Sequence, residues 1–374
     1  MASAAQRRIK SISYAKYGYI FILPFFLVYF FFQLWPLINT FIVSFQGNGS
    51  ETGNFVGLDN FKHLLTKVTL TTEENRKVLG ILPVESDAEY QELAAKKMQG
   101  AIHNDFVRAF KNTLILWFGN FIPQIALSLS LAVWFTDAKL KIPGKGFFKV
   151  IMYMPNIITA ASVAVLFMSL CSESKYGAFN QLFHSLGIVK ELEGPDRDVV
   201  KFVSGTWPAR FVIMFIQTWM WFGNTMIMLM SGIMGINPSL FEAASIDGAS
   251  SGQVFRKITL PLLSPIMVYT LVTSMIGGLQ MFDIPYLYHT GNVPNKEVST
   301  VAVFIYGHFH TGQKYQNYGY SGAASVLLFI VTLILGSITF YMNRDVDAIA
   351  KKKQRKKLAK QVKAQNKQFG GLSV

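Results

Sequence analysis

The feature that most constrains this chain is a series of apolar segments, each too long to be a strand. A bilayer hydrocarbon core of about 30 Å needs about 20 apolar residues per helix, whereas strands rarely exceed about ten residues. Six segments meet this length and carry no Lys or Arg in their interiors: 17–45, 112–135, 147–172, 208–234, 262–288 and 320–343. The sequence therefore predicts an all-α integral membrane protein with six core transmembrane helices.

The composition agrees with this prediction. Hydrophobic residues make up 51% of the chain and charged residues only 15%, and a soluble protein could not keep so much apolar surface out of water. The first apolar segment is far longer than the roughly 7–15 residues of a signal-peptide core, and no small-residue cleavage site follows it. We therefore expect it to be retained as the first span.

The distribution of charge predicts the orientation in the membrane. The net charge is +14, but it is concentrated outside the apolar segments, which is not the pattern of a nucleic-acid-binding domain. Residues 1–16 carry four basic side chains and no acid, and residues 344–374 carry ten basic side chains against two acids. The short loop after the second segment adds four lysines against one acid: Lys139, Lys141, Lys145, Lys149 and Asp137. Because basic loops stay in the cytoplasm, we expect both termini and this loop there.

These spans and charges predict the organisation of the chain. A cytoplasmic basic N-terminus (1–16) precedes the first span (17–45), an extracytoplasmic loop (46–105), a core with the other five spans (106–343) and a basic cytoplasmic tail (344–374). The stretch 85–103 is either an amphipathic helix over the outer mouth or a disordered insert. The tail is either a solvated extension held near anionic lipid headgroups or a specific regulatory contact. Membrane lipid, and not nucleic acid, is the expected partner of the basic segments.

The loop between the fourth and fifth spans (236–265) predicts two short helices. Asn237 suits an N-cap and Pro238 the first helical position, and Gly248 permits the reversal that ends the first helix near Asp247. A second helix over about 250–259 should stop before Leu260-Pro261. Such a stiff bracket would present a set of side chains to a groove on a cytoplasmic partner: Phe241, Ala243, Ala244 and Ile246. An interfacial amphipathic hairpin is the alternative that physical chemistry alone leaves open.

Polar residues inside the apolar segments mark a candidate substrate path, because they are costly in lipid and usually face a cavity or another helix. The fourth span carries Gln217, Trp221 and Asn224 on one face. The second span carries Asn120, Gln124 and Ser128, and the fifth carries Gln280 and Asp283 on one face beside Phe282. Amides and aromatic rings suit a neutral polyhydroxylated ligand. Hydrogen bonds between helices, of about 0.6 kcal/mol each, are the alternative role of each amide.

Several activities find no support in the sequence. The spans contain no relay of Asp, Glu or His of the kind a proton-driven carrier needs, and no buried Lys or Arg that would hold an anionic substrate. A single cysteine and six scattered histidines form no metal or catalytic motif. The chain has no G-x-x-x-x-G-K-[S/T] phosphate loop, so it is not itself an ATPase. We expect no cofactor, no metal and no catalytic site.

A resemblance sharpens this interpretation. Glu242-Ala243-Ala244, Asp247-Gly248-Ala249 and the residues that follow at fixed spacing match the EAA loop of ABC-importer permeases; these are Phe255, Ile258, Leu260-Pro261 and Pro265. Further segments resemble the maltose and multiple-sugar branch, of the MalF type: residues 55–61, 110–113, 177–182 and 282–286. The chain departs from that branch in its long basic tail and in lacking the large folded insert that some members carry in the 46–105 loop.

The resemblance implies a function, partners and site residues. The chain would be a permease subunit with type I importer architecture, in the cytoplasmic membrane of a bacterium, for a di- or oligosaccharide. Its partners would be a second, MalG-like permease, a dimer of the ATP-hydrolysing subunit and an extracytoplasmic sugar-binding protein. The coupling loop (236–261) would transmit nucleotide-driven closure through Glu242, Ala243, Ala244, Asp247 and Gly248. A peptide or amino-acid importer and a secondary transporter are the rival functions.

Overall fold

The computed structural model describes residues 4–47, 53–65, 105–137, 140–192, 198–289, 295–310, 318–342 and 358. Over these residues every regular element is helical, apart from an isolated antiparallel bridge between Gln46 and Phe55. The helices are α1 (Ala4–Tyr29), α2 (Trp35–Ser44), α3 (Asp59–Leu65), α4 (Asp105–Thr136), α5 (Lys145–Tyr153), α6 (Ala160–Leu170), α7 (Ala178–Ser185), α8 (Thr206–Met234), α9 (Pro238–Ile246), α10 (Ser251–Val254), α11 (Leu260–Leu279), α12 (Asp283–Leu287), α13 (Val301–His310) and α14 (Tyr318–Met342). The 85–103 stretch and nearly all of the 344–374 tail lie outside the described residues, so the predictions for them stay predictions.

The apolar segments fold as membrane-length helices. Five helices in the described part of the chain are long and apolar enough to cross a bilayer: Tyr17–Ser44, Phe106–Thr136, Thr206–Met234, Ser251–Leu287 and Tyr318–Thr339. The first of these begins earlier, at Ala4, and runs through a π-helical turn at Phe30–Leu34. The all-helical fold class is therefore confirmed.

The third apolar segment departs from the expectation of one continuous helix. Lys145–Ile157 and Ala160–Leu170 pass the test for a span only together, and they are bent by 94° at a short break. The helix tightens into a 3-10 turn at Met154–Ile157 that contains the buried Pro155. Thr159 is extended, and its hydroxyl accepts from the backbone N–H of Ser162, so it caps a new helix. A proline followed by a strong N-cap favours this restart over a continuous helix.

One compact unit consists of Met1–Asn120, Ile158–Thr218 and Gly278–Ile330. Within it, α14 approaches α2 closely, because a Cβ at Gly322 would lie 3.1 Å from the backbone nitrogen of Ser44. The buried amide of Asn60 on α3 donates to the carbonyl oxygens of Ser44, at 2.9 Å, and Gln46, at 2.8 Å. These contacts fix the end of the first span, since they satisfy backbone carbonyls that a helix end leaves free.

The second compact unit consists of Phe121–Ile157, Trp219–Gly277 and Val331–Val374. Its core is an apolar cluster contributed by α4, α8 and α11: Leu131, Ala132, Phe135, Phe222, Met226, Leu229, Met230, Ile233 and Leu263. Gly232 lets α11 approach α8, because a Cβ there would meet the side chains of Ile266 and Leu263. This cluster packs together α8 and α11, the two helices that the bracket over 236–265 connects.

Candidate functional site

The bracket over 236–265 begins as the sequence predicts. Asn237 is the N-cap of α9, and its side-chain oxygen accepts from the backbone N–H of Ser239 at 3.1 Å. Pro238 occupies the first helical position, where its missing N–H costs nothing. The helix ends at Asp247, and Gly248 follows with φ +70°. A left-handed backbone at that position favours glycine, so the turn between the two short helices is built into the sequence.

The second half of the bracket differs from the prediction. Ser250 and Gln253 form a reciprocal capping box at the start of α10. The helix does not stop before Leu260-Pro261; it passes through a π-helical turn at Phe255–Thr259 and continues as α11. The wider turn relieves the clash that Pro261 would otherwise make with the preceding turn. The bracket is therefore joined to the fifth span without a hinge.

The surface of the bracket separates its residues into two groups. Glu242, Ala243, Asp247 and Gly248 are exposed, and the side chain of Ile246 is 86% exposed. Ala244, by contrast, is buried. Ile246 and the acids Glu242 and Asp247 thus form an exposed surface that is both apolar and acidic. Ala244 instead packs inward and supports the helix from beneath.

The polar residues of the second span join helices together. The amide of Gln124 donates to the hydroxyl of Thr225 at 2.7 Å, and the hydroxyl of Ser128 donates to the carbonyl oxygen of Phe222, also at 2.7 Å. Asn120 is buried and donates to the carbonyl of Leu116 within its own helix. Gln124 and Ser128 therefore have the helix-joining role that the sequence left open as the alternative to substrate binding, whereas the amide of Asn120 bonds within its own helix.

The fourth span places its three candidate residues in different environments. Gln217 is buried. Trp221 is 47% exposed, and Asn224, near the middle of α8, is exposed as well. The exposed side of α4 offers a contrast, since its large side chains are apolar: Phe118, Ile122, Leu127 and Trp134. An amide facing lipid in mid-span would be left without hydrogen bonds, at a cost of several kcal/mol. The Trp221/Asn224 face is thus suited to water or to another polar surface.

The candidate residues of the fifth span do not share one helix face. Helix α11 ends at Leu279, Gln280 lies in a turn, and Asp283 begins α12. Gln280 and Asp283 therefore do not lie on one face of a continuous helix, because the helix is interrupted between them. Both side chains are exposed. On α11 itself, Tyr269 and Thr273 continue the exposed polar positions that lead to Gln280.

An aromatic group that the sequence analysis missed surrounds Phe282. The ring of Phe282 stacks on Tyr286 with 4.9 Å between centroids and lies 5.1 Å from the ring of Tyr306. Tyr286 and Tyr306 meet edge to face at 4.9 Å. Tyr306 belongs to α13, far along the chain, so no local spacing could have indicated its part in this group.

A largely buried arginine was also missed. The spans were expected to be free of buried cations, but the side chain of Arg210 on α8 is only 11% exposed. Its guanidinium donates to Asn112 Oδ1 at 2.7 Å and to the carbonyl of Glu297 at 3.0 Å, and it lies 3.6 Å from the carboxylate of Glu297. Arg210 thus ties α4 and α8 to the 295–300 segment, and its acidic partner Glu297 also lies 3.8 Å from Arg108.

The segment between α6 and α8 is organised by acidic side chains that accept backbone hydrogen bonds. The carboxylate of Glu173 accepts from the N–H groups of Val203 at 2.7 Å and Ser204 at 2.6 Å. The N–H groups of Glu191 and Lys190 lower the pKa of Asp198 by hydrogen bonding to its charged form. The described residues of this segment, 171–192 and 198–205, therefore form a folded part of the protein.

Comparison with known proteins gives a consistent result. Residues 124–348 match the family model described as the inner membrane component of binding-protein-dependent transport systems. The chain is 26% identical over 345 residues to the arabinooligosaccharides transport system permease protein AraP of Bacillus subtilis, which covers 91% of this chain and 94% of that protein. It is also 26% identical to the trehalose/maltose transport system permease protein MalF of Thermococcus litoralis, covering 85% of this chain and 90% of that one.

A solved structure supports the fold. The chain superposes with a TM-score of 0.67 on a chain of a bacterial alginate ABC transporter in complex with an alginate pentasaccharide-bound periplasmic protein. The match covers 90% of this chain and 97% of the other, at 22% sequence identity. Similarity at that level of identity bears on the fold alone, and the helical membrane architecture of the two chains is the same.

Proposed function

The chain belongs to the family of inner membrane components of binding-protein-dependent transport systems, and from that premise we propose that it is the permease subunit of an ATP-driven carbohydrate importer. The curated relatives that match most of its length carry the names of oligosaccharide and disaccharide permeases. The proposed substrate class is accordingly a di- or oligosaccharide. The proposed location is the cytoplasmic membrane of a bacterium, with both termini in the cytoplasm.

The observation that carries this proposal is the rigid bracket over 236–265. Helix α9 is capped by Asn237 and joined to α10 by the turn at Gly248, and α10 continues without a break into α11. Its exposed residues Glu242, Ala243, Ile246 and Asp247 form a surface suited to a groove on a cytoplasmic protein. A passive connector would need neither this stiffness nor this surface.

In the proposed mechanism, the bracket transmits the movement of a partner ATPase to the spans. Glu242, Ala243 and Asp247 contact the ATPase, Ala244 supports α9 from beneath, and Gly248 sets the angle between the two short helices. Because α10 continues into α11, a displacement of the bracket moves the fifth span directly. The ATPase supplies all of the chemistry, and this subunit carries no catalytic residue.

The proposed substrate path runs along the exposed polar faces of the fourth and fifth spans. Trp221 offers a ring face to the apolar side of a pyranose, and Asn224 offers a donor and an acceptor to its hydroxyl groups. Gln280 and Asp283 would provide further polar contacts, and Phe282 a second aromatic one. Gln217 is proposed in a supporting role, since its side chain is buried.

Three kinds of protein partner follow from the proposal. A second, MalG-like permease completes the pore, because one subunit leaves a mid-membrane amide uncovered. A dimer of the ATP-hydrolysing subunit binds the brackets of the two permeases. An extracytoplasmic sugar-binding protein delivers the substrate, as the periplasmic protein in the alginate transporter structure suggests by analogy. Membrane lipid surrounds the remaining faces.

The test is to isolate the complex from native membranes and to identify the subunits that co-purify. Reconstituted with its binding protein, the complex should hydrolyse ATP faster when the correct saccharide is present. A panel of di- and oligosaccharides, with amino acids and short peptides as controls, identifies the substrate class. Stimulation by peptides or amino acids and by no saccharide would overturn the carbohydrate assignment, and purification without any ATPase would overturn the importer assignment.

A further inference from the structure

The sharp bend in the third apolar segment leaves α5 without a role as a span. Helix α6 has 11 residues, which at about 1.5 Å per residue gives roughly half the thickness of the hydrocarbon core. Helix α5 is turned by 94° relative to it. Helix α5 therefore does not continue α6 as one straight span, and with α6 along the membrane normal α5 would lie close to the membrane plane.

The side chains of α5 are divided between an apolar and a basic side. Phe147 is 67% exposed, and Phe148, Val150 and Ile151 are exposed too. Lys145 and Lys149 lie one turn apart and are half-buried, and the exposed Lys141 precedes the helix by one turn. Among the described residues, none of these three ammonium groups forms an ion pair. A short helix with an exposed apolar side and a lysine row has the pattern of an interfacial membrane helix.

The far end of α5 is attached to the substrate-bearing helix α8. A Cβ at Gly223 would overlap the carbonyl oxygen of Met152, so the two backbones are in direct contact. Gly223 is the residue immediately before Asn224. Whatever holds α5 in the membrane surface therefore also positions the part of α8 that carries Asn224.

We propose that α5, with Lys141, Lys145 and Lys149, is a binding site for acidic phospholipid headgroups in the cytoplasmic leaflet. The apolar side chains enter the boundary between headgroups and acyl chains, and the lysines extend back to the phosphodiesters. Charge selects the occupant, because three unpaired cations at the membrane surface attract anionic lipids over zwitterionic ones. The proposal rests on the cytoplasmic placement of the loop given under the proposed function, and it does not depend on what is transported.

The test uses the purified complex after detergent exchange has removed its native lipids. Phosphatidylglycerol or phosphatidylcholine is titrated in, and bound lipid is counted by native mass spectrometry. We expect phosphatidylglycerol to bind more tightly, with a loss of about fivefold for each Lys→Gln change at positions 141, 145 and 149. The Lys→Arg variants at these positions should bind like the wild type. The matched control is Gln at Lys175, Lys190 and Lys201, which we expect to leave binding unchanged.

Four outcomes would overturn the proposal. If phosphatidylglycerol and phosphatidylcholine bind equally, the site does not select lipids by charge. If the Lys→Gln variants bind phosphatidylglycerol as well as the control variants do, the lysines do not bind the headgroup. Displacement of the bound lipid by inorganic phosphate would assign the lysines to a soluble anion. A nitroxide on Phe147→Cys, in a Cys171→Ser chain, should be more accessible to oxygen than to a water-soluble nickel chelate, and the reverse would lift α5 out of the membrane. None of these measurements depends on transport, so their failure is distinguishable from failure of the importer assignment.

Discussion

The amide of Gln124 donates a 2.7 Å hydrogen bond to the hydroxyl of Thr225. Thr225 is buried, whereas Asn224, the residue before it on α8, is exposed. Two amides of similar chemistry, both inside predicted spans, therefore have opposite environments. One joins two helices, and the other is left for a ligand, water or a partner subunit.

This difference predicts opposite effects of two similar substitutions. Gln124→Ala should lower the thermal stability of the complex, by about 0.6 and at most about 1.7 kcal/mol for an interhelical bond, with little change in substrate preference. Asn224→Ala should leave stability unchanged and alter uptake, because each lost substrate hydrogen bond weakens binding by about 1 kcal/mol. Saccharide uptake and melting temperature of both variants provide the check. Unchanged uptake in an Asn224→Ala, Trp221→Ala double variant would return these residues to a packing role.

Gly248 offers a test of the bracket that involves no steric clash. A Cβ at this position meets nothing within 4 Å, but φ is +70°, so Gly248→Val strains only the backbone, by about 1 kcal/mol or more. We expect normal membrane insertion and a loss of saccharide-stimulated ATP hydrolysis. Gly252→Val is the matched control, since that glycine is also open and has no positive φ. If Gly248→Val keeps the full saccharide-stimulated rate of ATP hydrolysis, the bracket does not couple the ATPase to the spans.

Ala243 and Ala244 are neighbours with opposite exposure, and they separate docking from folding. Ala244→Leu adds volume beneath α9 and should destabilise the permease by about 1–3 kcal/mol. Ala243→Leu enlarges the exposed surface, so it should leave the permease folded and reduce the amount of ATPase that co-purifies. Co-purification yield and thermal stability distinguish the two. Equal ATPase yield from wild type and Ala243→Leu would contradict docking at this face.

Gly223 should tolerate no side chain. A Cβ there would overlap the backbone carbonyl of Met152, and backbone cannot move aside as a flexible side chain can. We expect Gly223→Ala to lower the yield of assembled complex by separating α5 from α8. Gly277→Ala is the control, because a Cβ at Gly277 meets nothing within 4 Å. If both variants assemble equally well, the close approach of the two helices is not required.

The proposed orientation predicts which side of the membrane each loop occupies. In a Cys171→Ser chain, a membrane-impermeant maleimide on intact cells should label Ser185→Cys, on α7, and should not label Lys141→Cys. Both positions should react once the cells are permeabilised, which controls for accessibility. Labelling of Lys141→Cys from outside would reverse the topology and would place α5 on the outer leaflet.

Much of the fold could be predicted because it depends on local patterns. The structure contains the six apolar segments, the Asn237 cap and the Gly248 turn. Each of these features depends on residues that are adjacent in the chain. The predictions were wrong where the continuity of a helix was at issue. The third segment bends near Pro155, the helix of the fifth is interrupted between Leu279 and Asp283, and the second bracket helix runs on through Pro261. The hydrophobicity of a segment predicts that it enters the membrane, but it does not predict whether the segment forms one continuous helix.

The sequence by itself determined that this is a helical membrane protein with a bracket between its fourth and fifth spans, because segment length, capping and glycine conformation are local properties. Only the tertiary structure decided which polar residues are available to a ligand. Gln124 and Asn224 are both amides inside apolar segments, so the sequence does not distinguish them. In the structure, Gln124 bonds to Thr225 on a neighbouring helix, whereas Asn224 is exposed. The same holds for Arg210, which pairs with Glu297, 87 residues away in the chain. Such assignments depend on which helices pack together, and that packing is set by contacts between residues far apart in the chain.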